Sequence, residues 1–339
     1  MTIKLYVVVL YPYFNQSKAC NMSRKFICGH TFQVYNEMID HLEEIVPQYM
    51  EELRGISQGA STPFHKLFLA NVDEDYSGIM KYAGQKESSS LDSVSKGCST
   101  ILINKPNQRL ICHNEDGHID KFGRCYMVDA TLYRNNKKEN IIEERFIAYC
   151  YPGYLAGSVL GFNHHGIFIS TNYINTLKAS KLHLRFGPSI VCSTVQVYGP
   201  VPLATLAMSP IILHPIARQK VCDVTNLNVA WCEKAQTEDK LSVKNIEVGP
   251  TDVDNPVFDI KDLEVDEIYF HTNRFHRLNI DQGNARMASE SSECREETWN
   301  SFKPEKQANY IEVLSDESHE NYTIFRSDPA KSCTYCTSM

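Results

Sequence analysis

Two strand-like runs joined by a short turn constrain this chain more than any other feature. STILIN at 99–104 and RLICHNED at 109–116 flank the turn KPNQ at 105–108. Apolar, β-prone runs on either side of a Pro–Asn pair read as a β-hairpin. With Pro106–Asn107 as its two-residue tip, Cys98 lies opposite Glu115 and Gly97 opposite Asp116. Asp116 is thereby a near neighbour of Cys98 despite its distance along the chain. Thr100, two residues further along the strand, shares the side-chain face of Cys98.

Helical signals come before the hairpin and strand signals after it. Val34, Met38, Leu42, Ile45, Tyr49, Leu53 and Ile56 recur at spacings of three or four, with acids between them. Pro47 is expected to kink or split that segment, and Gly55, Ser57 and Gly59 to end it. FHKLFLAN at 64–71 reads as a second short helix, and the serine-rich stretch 85–97 as an exposed loop. Past the hairpin, residues 124–133, 144–151, 165–171, 227–233, 244–250 and 267–273 have strand texture. Residues 279–308 are largely polar, contain Trp299 and read as a surface helix with loops, and 188–218 are apolar with several prolines.

Charge and cysteine usage exclude several classes. Net charge is −7, from 34 basic and 41 acidic residues. A mildly acidic chain without a basic stripe is not built to hold nucleic acid or an anionic membrane. No run approaches the ~18 apolar residues of a membrane span. The opening MTIKLYVVVLYPYF reads as a strand, since no small-residue cleavage site follows it. Twelve dispersed cysteines in a chain this long suit buried thiols in a reducing compartment, and the expectation is a cytoplasmic protein. Cys333 and Cys336 form a lone CxxC, and His164–His165 an adjacent pair whose members point to opposite faces of a strand. Neither makes a metal site, so no metal and no cofactor is expected.

A cysteine that opens a strand behind a glycine, with a carboxylate one strand over, becomes informative beside the other motifs. GCST at 97–100, CHNED at 112–116, GFNHHG at 161–166, YFHTNRF at 269–275 and ELRGISQGASTPFHKLFLANVDED at 52–75 occur in one order over most of the chain. In that order and spacing they resemble the cysteine-type N-terminal nucleophile hydrolases. That family includes acyl-coenzyme A:6-aminopenicillanate acyltransferase and the hydrolases of β-alanyl amines such as N-β-alanyl-dopamine and carcinine. The details of GCST and FNHHG are closer to the second branch.

The resemblance implies an α/β fold of four layers, αββα, with two mainly antiparallel sheets covered by helices. It implies a precursor that cuts itself between Gly97 and Cys98. Residues 1–97 then remain bound as a small subunit, the chain's own N-terminal fragment, and 98–339 form the catalytic one around a shared core. Cys98 is the implied nucleophile, and its freed α-amine the base for its own thiol. Asp116 would hold the new ammonium or assist self-cleavage, and Asn273 would donate to the oxyanion. Thr100, Asn114 and Asn163 are candidate supports. The implied partner is a small-molecule amide substrate, most closely an N-β-alanyl biogenic amine, with a homo-oligomer left open. An acyltransferase, or a degenerate inactive paralogue, is the alternative. Compared with the family pattern the C-terminus is short, which implies an incomplete sheet edge, and Cys333 stands near the place of an acyltransferase-type arginine.

Overall fold

In a computed structural model, the structure describes residues 35–36, 38–40, 42–44, 47–72, 97–117, 119–133, 143–156, 159–163, 167–174, 225–231, 242–249, 257–280, 286–328 and 333–338. The expectations for 1–34, 85–96 and 188–218, and for the pair His164–His165, lie outside these residues. Helix α1 spans Pro47–Gly59 and α2 Phe64–Asn71. Pro47 is the first residue of α1, and helical residues also lie ahead of it at 35–36, 38–40 and 42–44. Gly55 lies inside the helix, contrary to its expected role in the stop, and Gly59 closes it. Tyr49, Met50, Leu53 and Ile56 make the buried face of α1.

The hairpin is present in the expected register. Strand β1 is Gly97–Lys105 and β2 Gln108–Gly117, with Lys105 opposite Gln108, Cys98 opposite Glu115 and Gly97 opposite Asp116. The later strands are β3 Tyr126–Tyr133, β4 Glu143–Cys150, β5 Leu160–Asn163, β6 Ile167–Tyr173, β7 Thr225–Trp231, β8 Ser242–Val248, β9 Phe258–Asp262 and β10 Glu267–His271. Helices α3 Arg286–Ser301, α4 Pro304–Gln307 and α5 Tyr310–Leu314 follow, and β11 Cys333–Ser338 ends the order.

Among the described residues the strands form two antiparallel sheets. One has the order β10-β1-β2-β11, the other β3-β4-β5-β6-β7-β8-β9. The CTYCTS segment that holds the CxxC is thus a sheet strand, lying along β2 with a bulge between Thr334 and Cys336. Strand β1 is covered on both faces. Ile101 and Ile103 pack with Trp299, Val313 and Leu314 of the C-terminal helices, while Leu102 packs with Val243 of β8 and Leu263. Fully burying each of these aliphatic side chains stabilises by about 1.5–3 kcal/mol. On the larger sheet, Phe146, Ala148 and Cys150 of β4 pack against Leu53, Leu67 and Phe68 of α1 and α2. The chain is therefore a mixed α/β protein with antiparallel sheets and helices, and the head of β1 lies where the sheets come together.

One reading is corrected. Helix α3 is not a plain surface helix: Ser291, Ser292, Arg295, Thr298 and Trp299 are buried along one side, and Trp299 stacks on Phe270 at 5.0 Å. Its buried stripe is mostly polar, so hydrophobic periodicity does not show it.

Candidate active site

Cys98 is buried at the head of β1 with its side chain on the same face as Thr100, His113 and Glu115. Its thiol donates to Glu115 Oε2 at 3.1 Å. The same oxygen lies 3.2 Å from His113 Nε2, and His113 Nδ1 is 2.8 Å from Thr100 Oγ1. Tyr151, just beyond β4, donates its phenol to Glu115 Oε1. Thr100 in turn donates to Asn172 Oδ1 of β6 at 2.9 Å. Asn228 Nδ2 of β7 reaches Asn172 Oδ1 at 2.8 Å, and Asn245 Nδ2 of β8 reaches Asn228 Oδ1 at 2.8 Å. A buried polar chain thus leads from the thiol across the larger sheet. Buried polar groups need such partners, because each one left unpaired costs about 1–3 kcal/mol.

The backbone of Cys98 is held separately. Thr100 pairs with His271 in β10, and the same antiparallel register carried two residues further puts Asn273 beside Cys98. Asn273 Oδ1 accepts the Cys98 N–H at 2.8 Å and Arg295 Nη2 at 2.9 Å, and its Nδ2 donates to Tyr173 O at 2.8 Å. Two donors and one acceptor fix the amide's orientation, since a flip would set NH₂ against N–H on two sides. Arg295 Nη1 donates to Cys98 O at 2.6 Å and to Ser99 Oγ at 2.9 Å.

Asp116 lies beside Gly97, as the hairpin requires, but its carboxylate is turned away from the thiol. It pairs with Arg326 Nε at 3.3 Å and accepts Thr334 Oγ1 at 2.7 Å. Arg326 also donates to Ser291 Oγ at 2.9 Å. A Cβ at Gly97 would come to 2.8 Å from Arg326 Nη2, 3.3 Å from Asn273 Oδ1 and 3.4 Å from Arg295 Nη2. A side chain at residue 97 would have to push aside the Arg326 guanidinium, which Asp116 and Ser291 hold in place. Asn114 faces the helices and donates to Leu314 O at 2.7 Å and Ile324 O at 3.3 Å, bracing the segment that carries Arg326. Asn163 pairs with Phe146 through the β4–β5 ladder, and its side chain lies outside the described residues.

The electrostatics favour a protonated thiol in the uncut chain. Burial first, and then the adjacent Glu115 carboxylate, push the Cys98 thiol well up, while the Asn273 side chain pulls toward the thiolate. For Glu115, burial acts upward, but hydrogen bonds from His113, Tyr151 and Cys98 outweigh it and leave the carboxyl below its ordinary value. For Asp116, burial prevails over the two guanidinium charges and raises the carboxyl. Burial lowers Arg295 to about 10, with Arg326 adding in the same direction.

Two sets of side chains bring metal-ligand atoms within 4.8 Å of one another: Cys98, His113 and Glu115, and Glu247, His271 and His276. The second set already has another job. Glu247 accepts the backbone N–H groups of His276, Arg277 and Leu278 at 2.7, 3.0 and 2.9 Å, fixing the turn after Asn273.

Sequence reasoning missed Glu115, Arg295 and Arg326 as members of this site. Glu115 had a signal, because the hairpin register already set it opposite Cys98. The arginines had none, since each arrives from an element with no local tie to β1.

The site thus presents a buried thiol at a strand head, its backbone N–H held by a side-chain amide and a glycine before it. Residues 103–184 match the family model described as acyl-coenzyme A:6-aminopenicillanic acid acyl-transferase. The chain is also 29% identical over 303 residues to the beta-alanyl-dopamine/carcinine hydrolase of Drosophila melanogaster, covering 87% of this chain and 73% of that protein. Both similarities point toward the family that its motifs resemble.

Proposed function

We propose that this protein is a self-processing cysteine amidohydrolase that releases β-alanine and a free amine from N-β-alanyl biogenic amines such as N-β-alanyl-dopamine and carcinine. One observation carries the reading: in a relative of a beta-alanyl-dopamine/carcinine hydrolase, Cys98 heads β1 with its N–H on Asn273 and its thiol on Glu115. The packing of α1 and α2 on one sheet, and of α3 and α5 on the other, supports a four-layer αββα sandwich.

In self-cleavage the Cys98 sulfur bonds to the Gly97 carbonyl carbon. The Gly97–Cys98 C–N bond breaks, and the proton lost by sulfur ends on nitrogen as the new α-amine. Water then adds to the thioester, releasing residues 1–97 with a C-terminal carboxylate and restoring the thiol. The α-amine, of ordinary pKa about 8, then takes the thiol proton in each turnover. The thiolate attacks the substrate carbonyl, the amine leaves with that proton, and water releases β-alanine from the thioester. Asn273 stands at the sulfur as an oxyanion donor through its Nδ2 side. Asp116 holds Arg326 beside Gly97 and so shapes the cleavage point, with Thr100 orienting His113 and Asn114 bracing the backbone. The family description also favours a second reading, in which an acyl acceptor replaces water at the thioester.

A denaturing gel with intact mass on wild type and Cys98→Ala tests the proposal. Wild type is expected as fragments of residues 1–97 and 98–339 and the variant as one uncut chain. A single uncut chain in both sinks it. Incubating carcinine with and without an acyl-CoA then separates hydrolysis from transfer.

A further inference from the structure

We propose that Glu115 is the receptor for the ammonium group of the substrate's acyl chain, and that it selects β-alanyl over neutral acyl groups at Cys98. The inference rests on the amide-hydrolase reading above and names what sets its substrates apart.

Glu115 is an unusual group to place beside a sulfur nucleophile. An anion there disfavours the thiolate, so its presence calls for a compensating role. Its partners are the Cys98 thiol, His113 and the Tyr151 phenol. Among the described residues no lysine or arginine pairs with it, and its one ion-pair contact is His113. A carboxylate has about four acceptor positions, and these partners occupy three. Its side chain keeps 13% exposure, next to the thiol it accepts from. The site therefore holds a carboxylate with no lysine or arginine partner among the described residues and one acceptor position beyond its three partners, which suits it to receive an ammonium group.

The reach fits a β-alanyl group. Its ammonium is three bonds from the carbonyl carbon, about 3–4 Å away in a staggered chain. A carbonyl poised for attack lies about 3–3.5 Å from sulfur. Glu115 Oε2 is itself 3.1 Å from that sulfur. A folded-back β-alanyl chain thus brings its ammonium to the carboxylate while its carbonyl faces Cys98. The flanking wall is aromatic, with Tyr151 against Tyr149 and Tyr154 at ring separations of 5.7 and 5.4 Å. It already carries one alkylammonium, Lys121, over the Tyr151 ring at 3.9 Å. Such faces favour cations.

The test compares N-β-alanyl-dopamine with N-butyryl-dopamine, in which a methyl group replaces the ammonium, by kcat/KM. Wild type is expected to prefer β-alanyl by about 10–100-fold, the worth of a hydrogen bond to a charged group. Glu115→Gln is expected to lose most of that ratio, whatever its absolute rates. Glu115→Asp, which draws the charge back by one methylene, is the second arm: its preference is expected to move to γ-aminobutyryl-dopamine. Equal wild-type rates on the β-alanyl and butyryl amides overturn the inference and leave the hydrolase reading standing. So does a β-alanyl preference unchanged in both variants. A self-cleaved wild type that turns over none of these amides overturns the substrate reading and the inference with it.

Discussion

Asn273 Oδ1 accepts the backbone N–H of Cys98 at 2.8 Å, tying the turn after β10 to the head of β1. The bond joins residues far apart in sequence and survives the proposed cleavage, because a free α-amine still donates to an amide oxygen. Asn273→Leu leaves the Cys98 nitrogen and Arg295 without their shared acceptor and removes the amide donor. A loss of about 10²–10³ in kcat is expected, the usual scale for an oxyanion donor. Asn273→Asp keeps an acceptor but adds negative charge beside sulfur, which disfavours the thiolate. The acid limb of its kcat/KM profile is expected to move to higher pH, and a pH–rate profile on the matured variant checks this.

Gly97 sits where any side chain meets Arg326, Asn273 and Arg295. The Arg326 guanidinium is the end of a long side chain, but Asp116 and Ser291 pin it. Gly97→Ala is therefore expected to slow the appearance of the two fragments at least several-fold. Once cleaved, the enzyme carries residue 97 only on its small fragment, so kcat per matured molecule should change far less. A gel time course beside an active-site titration separates the two effects.

Arg295 is the buried hub between the Cys98 carbonyl, Ser99 and Asn273. Its planar fork serves both Cys98 and Asn273 at once, and a lysine ammonium on a flexible stem does not reproduce that geometry. Arg295→Lys is expected to fold yet lose at least about 100-fold in activity, consistent with a misplaced nucleophile. Arg295→Met also removes a charge that faces Asp116, and breaking such a buried set costs about 3–5 kcal/mol. Thermal unfolding of both variants beside their kinetics checks the order.

What the sequence disclosed follows the range of each interaction. The β1–β2 hairpin is local, so a Pro–Asn tip and alternating residues set its register and with it Glu115 opposite Cys98. Asp116, which the resemblance singled out, lies opposite Gly97 in the same register, so its side chain faces the other side of the sheet from Cys98. The β1–β10 pairing is non-local, and only the YFHTNRF motif pointed to Asn273. Helix α3 was misread because its inward stripe is serine and arginine, satisfied by polar partners that local sequence does not display. Strands β5 and β9, four and five residues long, were too short to give a periodic signal.

Asn172, Asn228 and Asn245 escaped notice for a related reason. Each looks like an ordinary strand asparagine until three strands bring them into one line. Asn228→Leu strips partners from Asn172, Ser170 and Asn245 together. An expected loss of about 2–4 kcal/mol follows from two or more unsatisfied buried groups. Thr100→Val has nearly the same shape but takes the hydroxyl partner from His113 Nδ1 and one of two donors from Asn172 Oδ1. It is expected to cost about 1–3 kcal/mol and to lower kcat, because His113 then no longer fixes Glu115. Denaturant unfolding of the two variants, read for midpoint and slope, measures the difference.

Glu247 and His271 make the fold sensitive to acid. Burial alone would raise the Glu247 carboxyl, but hydrogen bonds from His271 and from the N–H groups of Leu278 and His276 prevail and hold it at about 2. Burial lowers His271 to about 4, against which its bond to Glu247 acts only in part. For the carboxyl, the folded value lies below the unfolded one, near 4.5. Its contribution is thus complete above about pH 4.5 and is lost as pH falls toward 2. For the imidazole, the unfolded chain takes up its proton near pH 6.5 while the folded chain resists until about 4, so stability also declines with falling pH across that interval. The melting temperature is therefore expected to be flat just above pH 6.5, to fall from 6.5 to 4, and to keep falling below 4.5. In Glu247→Gln the branch below pH 4.5 disappears, and the turn that carries Asn273 loses the charge holding three of its N–H groups. That variant is expected to melt lower at pH 7 and to lose kcat together with stability. A melting series at half-unit pH steps on wild type and Glu247→Gln decides it: parallel curves below pH 4.5 would show that other carboxylates carry the acid transition.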